Sequence, residues 1–364
     1  MDIVTRGRLN RATLARQLLL GREQVAAAEV VERLGGMQAQ EARPPFVGLW
    51  TRVSGFRREE LHHALHGRSI VRATLLRGTL HVMTAADFTL FRHTLQPMLT
   101  STLRVLGSRA NQLDLERLLP TARAILSSAP RTFTELRPLL QEAFPAVNDR
   151  ALGYAVRTQL PLVMRPTEDR WSFPTVSEFL LADEWLDEPL STVDATDQLA
   201  LRYLAAFGPA SAADFQTWSG MTGGKQIMER LRPKLEVFED EHGRELFDLP
   251  DAPRPEEDVP APVRYLPEFD NLVLAHADRT RVLADAYRGE VVTKNLRVRA
   301  TFLVDGYVRG TWETARKKDR ATLTLRPFLP LTRAALTDLT EEGESLLRFQ
   351  EPDAGTTEVV VAPH

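Results

Sequence analysis

The strongest constraint in this chain is a recurrence. Short amphipathic helices lead to a pair of β-rich runs before residue 85, and the same order returns twice before residue 250. In the first round, Leu14-Ala15-Arg16-Gln17-Leu18-Leu19-Leu20 predicts a helix stopped by Gly21. Residues 25–34 predict a second helix, with apolar Val30, Val31 and Leu34 on one face and Gly35-Gly36 as its C-cap. Residues 46–50, entered through Pro44-Pro45, and residues 58–65 predict two more. Residues 70–75 and 79–83 are β-rich runs around Leu76-Arg77-Gly78, which is a hairpin signal, and residues 85–95 are helical again. In the second round the helices are residues 113–126, 133–144 and 148–159. Thr132 stands three before Glu135, a capping-box spacing. Residues 162–165 and 171–173 predict the hairpin, turning at Glu168-Asp169. The third round follows an acidic segment, 183–197. Its helices are 198–207, 211–218 and 225–231, and its hairpin joins 235–238 to 245–247 around His242-Gly243. Chance gives this order once; three consecutive rounds indicate an internal structural repeat without an evident sequence repeat.

Helices followed by a hairpin is the order of a winged helix-turn-helix, with the hairpin as the wing. The texture then changes. Residues 251–262, rich in Pro, Asp and Glu, read as a linker. Strand runs follow at 263–266, 298–304, 307–312 and 321–325, with Asp305-Gly306 as a two-residue hairpin turn. A helix over 333–349 and a strand over 357–361 complete the chain. The expected fold class is therefore α+β. Three tandem winged helix-turn-helix units, residues 1–110, 111–190 and 191–255, are scaffolded by a β-rich C-terminal domain, 256–364, curled into a small barrel.

Composition removes several kinds of chemistry. The 364 residues include no Cys, which excludes disulfides, thiolate zinc sites, iron–sulfur clusters and cysteine nucleophiles. The first twenty residues lack the apolar core and cleavage site of a signal peptide. No stretch approaches the ~18 apolar residues of a membrane span. The expectation is a cytoplasmic protein without membrane contact. The net charge of −3 conceals an asymmetry. Residues 1–110 carry 16 Arg, no Lys and 8 acidic residues, a balance of +8; residues 111–260 carry 15 basic and 26 acidic residues, a balance of −11. A basic, all-arginine block suits bidentate phosphate contact and so nucleic acid. The plainer reading is solvated helix faces in a chain that uses Arg in place of Lys.

Chemistry centres on Gln38-Ala39-Gln40, directly after the glycine pair. Glutamine is neither a useful acid nor a useful base, but its amide can hold a water or a base by hydrogen bonds. Such a pair suits a reaction whose leaving group is already activated. Spacing adds a demand: residues i and i+2 of a helix point ~200° apart and cannot share a ligand. Both glutamines act at one centre only if the segment is extended or lies at a helix boundary.

In order along the chain, the sequence resembles the winged-helix DNA glycosylases typified by AlkZ and YcaQ. The resemblance rests on residues 14–20, on Leu34-Gly35-Gly36-Met37-Gln38-Ala39-Gln40, on Arg77-Gly78-Thr79-Leu80-His81, on Leu266-Pro267-Glu268-Phe269-Asp270-Asn271 and on residues 304–312. It implies three winged helices around a C-terminal β-barrel, and a monofunctional, metal- and cofactor-free glycosylase for bulky N7-alkylated purines in double-stranded DNA. The family's catalytic motif is two polar residues around one apolar residue. Gln40 in the second place, where the YcaQ-like branch has Asp, implies the AlkZ-like branch, tied to self-resistance against DNA-alkylating natural products and able to unhook interstrand crosslinks. The catalytic roles carry over to Gln38 and Gln40. N7 alkylation puts positive charge on the purine, so the leaving base needs no strong acid. An amide that orients but does not deprotonate water spares unmodified purines. No Lys precedes Lys225, which argues against a Schiff-base lyase in the first unit. A bulky adduct resists flipping into a tight pocket, so an open cleft is expected.

Arg72, Arg77 and His81 lie in or beside the first wing and are the candidate DNA contacts; otherwise they belong to a solvated hairpin. His62 and His66 have the i, i+4 spacing of a metal pair, but no third ligand is evident, so no metal is expected. Asp270 reads as a turn cap, and Trp171, Trp218 and Trp312 as core. The rival function is a non-enzymatic winged-helix regulator, which would dimerise on a palindrome. Three tandem units in one chain favour a monomer wrapping DNA. A weaker third reading, an enzyme of free nucleosides, is disfavoured by the basic block.

Overall fold

The run Leu9–Leu14 of the helix Arg6–Arg16 is buried throughout, and Arg16 with it, which makes this helix the hub of the molecule. The computed structural model describes residues 2–362. Thr5 caps the hub by accepting from the Arg8 N–H. The sequence places this helix at residues 14–20, but the chain leaves helical geometry after Arg16, and Leu18 sits at φ +56°. The reason is packing. Leu18 enters the core of the first half of the chain, whereas Leu14 and Leu19 enter the core of the C-terminal part. A reversal sends neighbouring leucines to different cores.

Three sheets are present. The first has the order β2-β4-β3-β5-β6, built from Met37–Gln38, Leu80–Thr84, Ile70–Thr74, Leu162–Met164 and Phe179–Leu181. The hairpins of the first two rounds therefore share one sheet, joined at Ala73 and Val163. Strands β2 and β5 cover both edges of the β3–β4 hairpin, and its two faces enter two different cores, Ile70, Leu80 and Val82 in one and Val71, Ala73 and Met83 in the other, so this hairpin is not an exposed wing. The return strand of the second hairpin is Phe179–Leu181, not residues 171–173. Trp171 stays in the loop and packs edge-on against Phe46, ring centroids 5.2 Å apart.

The second sheet holds the third hairpin, β7 (Glu236–Asp240) and β8 (Glu245–Asp248), with β1 (Asp2–Val4) added in parallel. The third sheet has the order β13-β12-β11-β10-β9, from Thr356–Val361, Arg320–Pro327, Tyr307–Lys317, Thr301–Val304 and Arg264–Leu266. The turn Asp305-Gly306 has both residues at positive φ, as a tight two-residue hairpin requires. The expected barrel is not closed: among the described residues no pairing links β9 to β13. The helix Arg333–Gln350 packs across this sheet through Leu339, Leu346 and Leu347 and fills the side a closing strand would need. No helix among the described residues is long and apolar enough to cross a membrane.

The α+β class is as expected, and most helices lie within two residues of their expected bounds. The charge argument fares differently. Of the 16 arginines before residue 110, Arg11, Arg16, Arg52, Arg72 and Arg92 are buried. Arg16 makes a bidentate pair with Asp248 at 2.6 and 2.8 Å, and Arg52 one with Asp270 at 3.0 Å on both arms. Part of the basic block thus holds the fold and does not face solvent.

Candidate active site

The glutamine segment begins where the helix Ala27–Arg33 ends. Gly35 and Gly36 take φ +65° and +88°, a double left-handed turn that L side chains rarely adopt. A Cβ on Gly36 would also lie 3.1 Å from the Val82 carbonyl. The turn delivers Met37 and Gln38 onto the edge of the first sheet, opposite Val82 and His81. Ala39 continues the pairing through its N–H to the Leu80 carbonyl at 2.7 Å. The segment is extended, so Gln38 and Gln40 point to the same side, the condition set by their spacing.

Both glutamines line one cleft of about 470 Å³, with Thr74, Thr79, Leu80, Arg157, Phe269 and the loop at Asn295-Leu296-Arg297. Gln38 also borders a narrow slot of about 10 Å³, which it shares with Gln17, Arg52 and Asp270. Arg297 also lines a second trough of about 610 Å³, bordered by Arg299, Arg326, Glu268 and Glu313. The expected open cleft, not a tight pocket, is what the fold provides.

The two glutamines differ in freedom. Gln38 is nearly buried, and its Oε1 accepts from the Arg77 guanidinium at 2.7 Å. Because Arg only donates, this bond fixes the amide with Oε1 inward and Nε2 away from Arg77. Gln40 is exposed and accepts a longer bond, 3.3 Å, from the Leu80 N–H.

Arg72, Arg77 and His81 lie behind the glutamines. Arg72 is buried and donates to the carbonyls of Ala39 at 3.0 Å and Gln40 at 3.3 Å. Arg77 sits at φ +56° next to Gly78 at +71° and also donates to the Trp218 carbonyl. Burial pulls both guanidinium groups down to about 10; for Arg77 the nearby Arg279 adds to the effect. Both stay charged at neutral pH. His81 is fully buried, its Nδ1 3.1 Å from the Thr79 carbonyl, which therefore receives the ring proton. Burial, then Arg77, lowers its pKa to about 3, so the ring is neutral. The expectation of an exposed wing is overturned here, because β2 and β5 enclose the hairpin. The placement suits bracing of the glutamine segment better than direct contact with phosphate.

Other side chains of the site escape sequence reasoning. Asn271 donates to the Gly36 carbonyl at 3.2 Å and ties the Pro267–Asn271 loop to the glycine turn. Asp270 caps that loop at the Leu272 N–H, as expected, and also pairs with Arg52, which nothing local announces. Arg157 borders the cleft, its guanidinium 5.3 Å from the centre of the Tyr154 ring. Glu168 approaches His62 at 3.4 Å and His66 at 3.9 Å. A third candidate ligand therefore does exist, supplied by a loop about a hundred residues away in the chain.

A scaffold of helices and open sheets presents an amide pair on a cleft bordered by Arg157 and by the Arg297–Glu41 pair, and similarity to known proteins gives the class. The AlkZ-like DNA glycosylase family matches residues 31–349, and the chain belongs to that family. It is a DNA glycosylase, which sets aside the regulator reading. The interstrand DNA cross-link repair glycosylase of Streptomyces sahachiroi is 25% identical over 357 residues, 92% of this chain and 94% of that protein. The solved structure of Streptomyces sahachiroi DNA glycosylase AlkZ matches with a TM-score of 0.80 at 20% identity, covering all of both chains. At that identity the structural likeness speaks for the fold.

Proposed function

We propose that this glycosylase hydrolyses the N-glycosidic bond of bulky N7-alkylated purine adducts in double-stranded DNA, with Gln38 and Gln40 as the catalytic pair. The observation that carries the reading is that both amides open on one cleft from one extended segment. The adduct carries its own positive charge, so the site needs no strong acid. Gln40, exposed and loosely held, is suited to orient the attacking water. Gln38, fixed by Arg77, offers its amide N–H groups to the sugar or the leaving base. Arg72, Arg77 and His81 serve in this reading by holding the pair in register, while Arg157, Arg297 and Arg299 meet the phosphates.

The same reading takes the protein as a cytoplasmic monomer, working without cofactor, with units at residues 1–110, 111–190, 191–255 and 256–364. The first three are helix–hairpin units of winged-helix order, the hairpins of the first two merged in one sheet, and the last is their β-rich support. The named relative acts on interstrand crosslinks. Extending that substrate to this chain is supported by the room in the cleft, and a role in self-resistance to an alkylating natural product rests on the resemblance at Gln40 alone.

The test is single-turnover release of an N7-alkylguanine from duplex DNA by the wild type, Gln38→Ala and Gln40→Ala. The expected outcome is loss of release in the variants with duplex binding retained. Undiminished release in both would remove the chemistry from this pair.

A further inference from the structure

We propose that His62, His66 and Glu168 form a binding site for a zinc-class divalent cation that pins the loop between β5 and β6 onto the helix Arg58–His66. Among the described residues these three are the one group of His and acidic side chains whose ligand atoms all lie within 4.8 Å of one another. The two histidines stand one turn apart on the same helix, with ring centroids 4.2 Å apart. Glu168 approaches from a loop that is remote in sequence, one oxygen on each ring: Oε2 is 3.4 Å from His62 Nε2 and Oε1 is 3.9 Å from His66 Nε2. For a tetrahedral ion with bonds of about 2.0–2.1 Å, neighbouring ligand atoms lie roughly 3.3–3.4 Å apart. The first distance already fits, and bringing one Glu168 oxygen to that spacing from both rings takes a side-chain adjustment by an exposed glutamate, the three ligand atoms already lying within 4.8 Å of one another.

The loop is shaped for this placement. The Thr167 N–H donates to the Ser172 carbonyl at 2.7 Å, and the Ser172 N–H to the Asp169 carbonyl at 2.7 Å, which leaves Glu168 at the apex of a tight turn. Ser172 is fully buried and held at φ +62°, a conformation that is uncommon for a side-chain-bearing residue. Its Oγ lies 3.1 Å from His62 Nδ1. A histidine that binds a metal through Nε2 keeps its proton on Nδ1 and needs an acceptor there, and Ser172 supplies one. The Thr167 carbonyl accepts from the His66 Nε2–H at 3.3 Å; a bound ion replaces that proton, and the carbonyl or a water fills the remaining coordination position. An ordinary surface ion pair needs neither the second histidine nor the buried serine.

The site has its own readout, separate from base release. Full-length, tag-free protein is stripped with a chelator and titrated with Zn2+ against a chromophoric competitor. It is then titrated with Co2+, whose visible absorption is strong only in tetrahedral surroundings. One equivalent of Zn2+, a tetrahedral Co2+ spectrum and a Zn2+-dependent rise in unfolding temperature are expected. His62→Ala, His66→Ala and Glu168→Ala should each abolish uptake. Ser172→Ala should weaken it by about 10-fold, through the partner of the ligand and not the ligand itself. His63→Ala, on the neighbouring exposed ring, should bind as the wild type does. Glu168 is exposed, so its variant folds whatever the outcome. No uptake by the wild type, or equal uptake by the wild type and Glu168→Ala, would overturn the proposal.

Discussion

Hairpin β3–β4 has a strand on each flank, and every residue of both strands is buried; in hairpin β7–β8, the outer edge of β8 meets no strand, only a single bridge from Phe247 to Ala210, and most of β7 is half-exposed. Both grow from the same helix–hairpin pattern, and both carry polar side chains inward. What differs is where those side chains go. From β3–β4, Arg72, Arg77 and His81 surround the glutamine segment. From β7–β8, Asp248 reaches the hub helix at Arg16 and is also held by Arg254 at 2.6 Å. One hairpin frames the site and the other fastens a peripheral sheet to the hub. A repeated motif keeps its local form while its neighbours set its task.

The comparison breaks most visibly if the wrong hairpin controls chemistry. Asp248→Ala leaves the Arg16 guanidinium buried without its partner, which costs about 3–5 kcal/mol. Denaturant unfolding should show that loss, while base release per folded molecule stays unchanged. A drop in release at unchanged stability would refute the division. Arg77→Met frees the Gln38 amide, and single-turnover release should fall about 100-fold, the scale of a misplaced reacting group. Duplex binding should persist, and Arg77→Lys should restore part of the rate. Weakened binding with an unchanged rate would instead put Arg77 on phosphate.

The smallest effect is a pH dependence that sharpens the contrast. His81, lowered to about 3, is neutral in the folded state, as is His276, lowered to about 3 by burial and then by Arg281. Both folded values lie below the ordinary histidine value of about 6.5. Their contribution is therefore present above that pH and is lost as pH falls toward 3, because the unfolded chain takes up protons that the folded one excludes. The slope is at most about 1.4 kcal/mol per pH unit for each ring. Unfolding titrations at pH 7, 6, 5 and 4 should show it, and His81→Asn should flatten it. A profile level to pH 4 would count against a buried neutral His81.

What the sequence makes legible is what neighbouring residues decide. The helix after Thr132, the glycine turn at Gly35-Gly36 and the Asp305-Gly306 turn are all written locally. The extended path of Gln38-Ala39-Gln40 was stated as a condition by the spacing of the pair. Four features lay out of reach because they depend on contacts between distant residues. Arg52 meets Asp270, and Glu168 meets His62, across one to two hundred residues. Leu18 turns between two cores. The C-terminal sheet stays open because Arg333–Gln350 lies across it. The arginine excess misleads for the same reason: a buried Arg paired with a distant carboxylate looks, in sequence, like one on the surface.

The walls of the cleft are separated in time as well as in sequence. Gln40 is synthesised 255 residues before Asn295 on the opposite wall. At roughly 5–20 residues per second, the glutamines wait on the order of ten to fifty seconds on the ribosome before that wall exists. A half-made chain carries the amide pair without the residues 295–297 that complete the cleft, so the site exists only once the last third of the chain has been made.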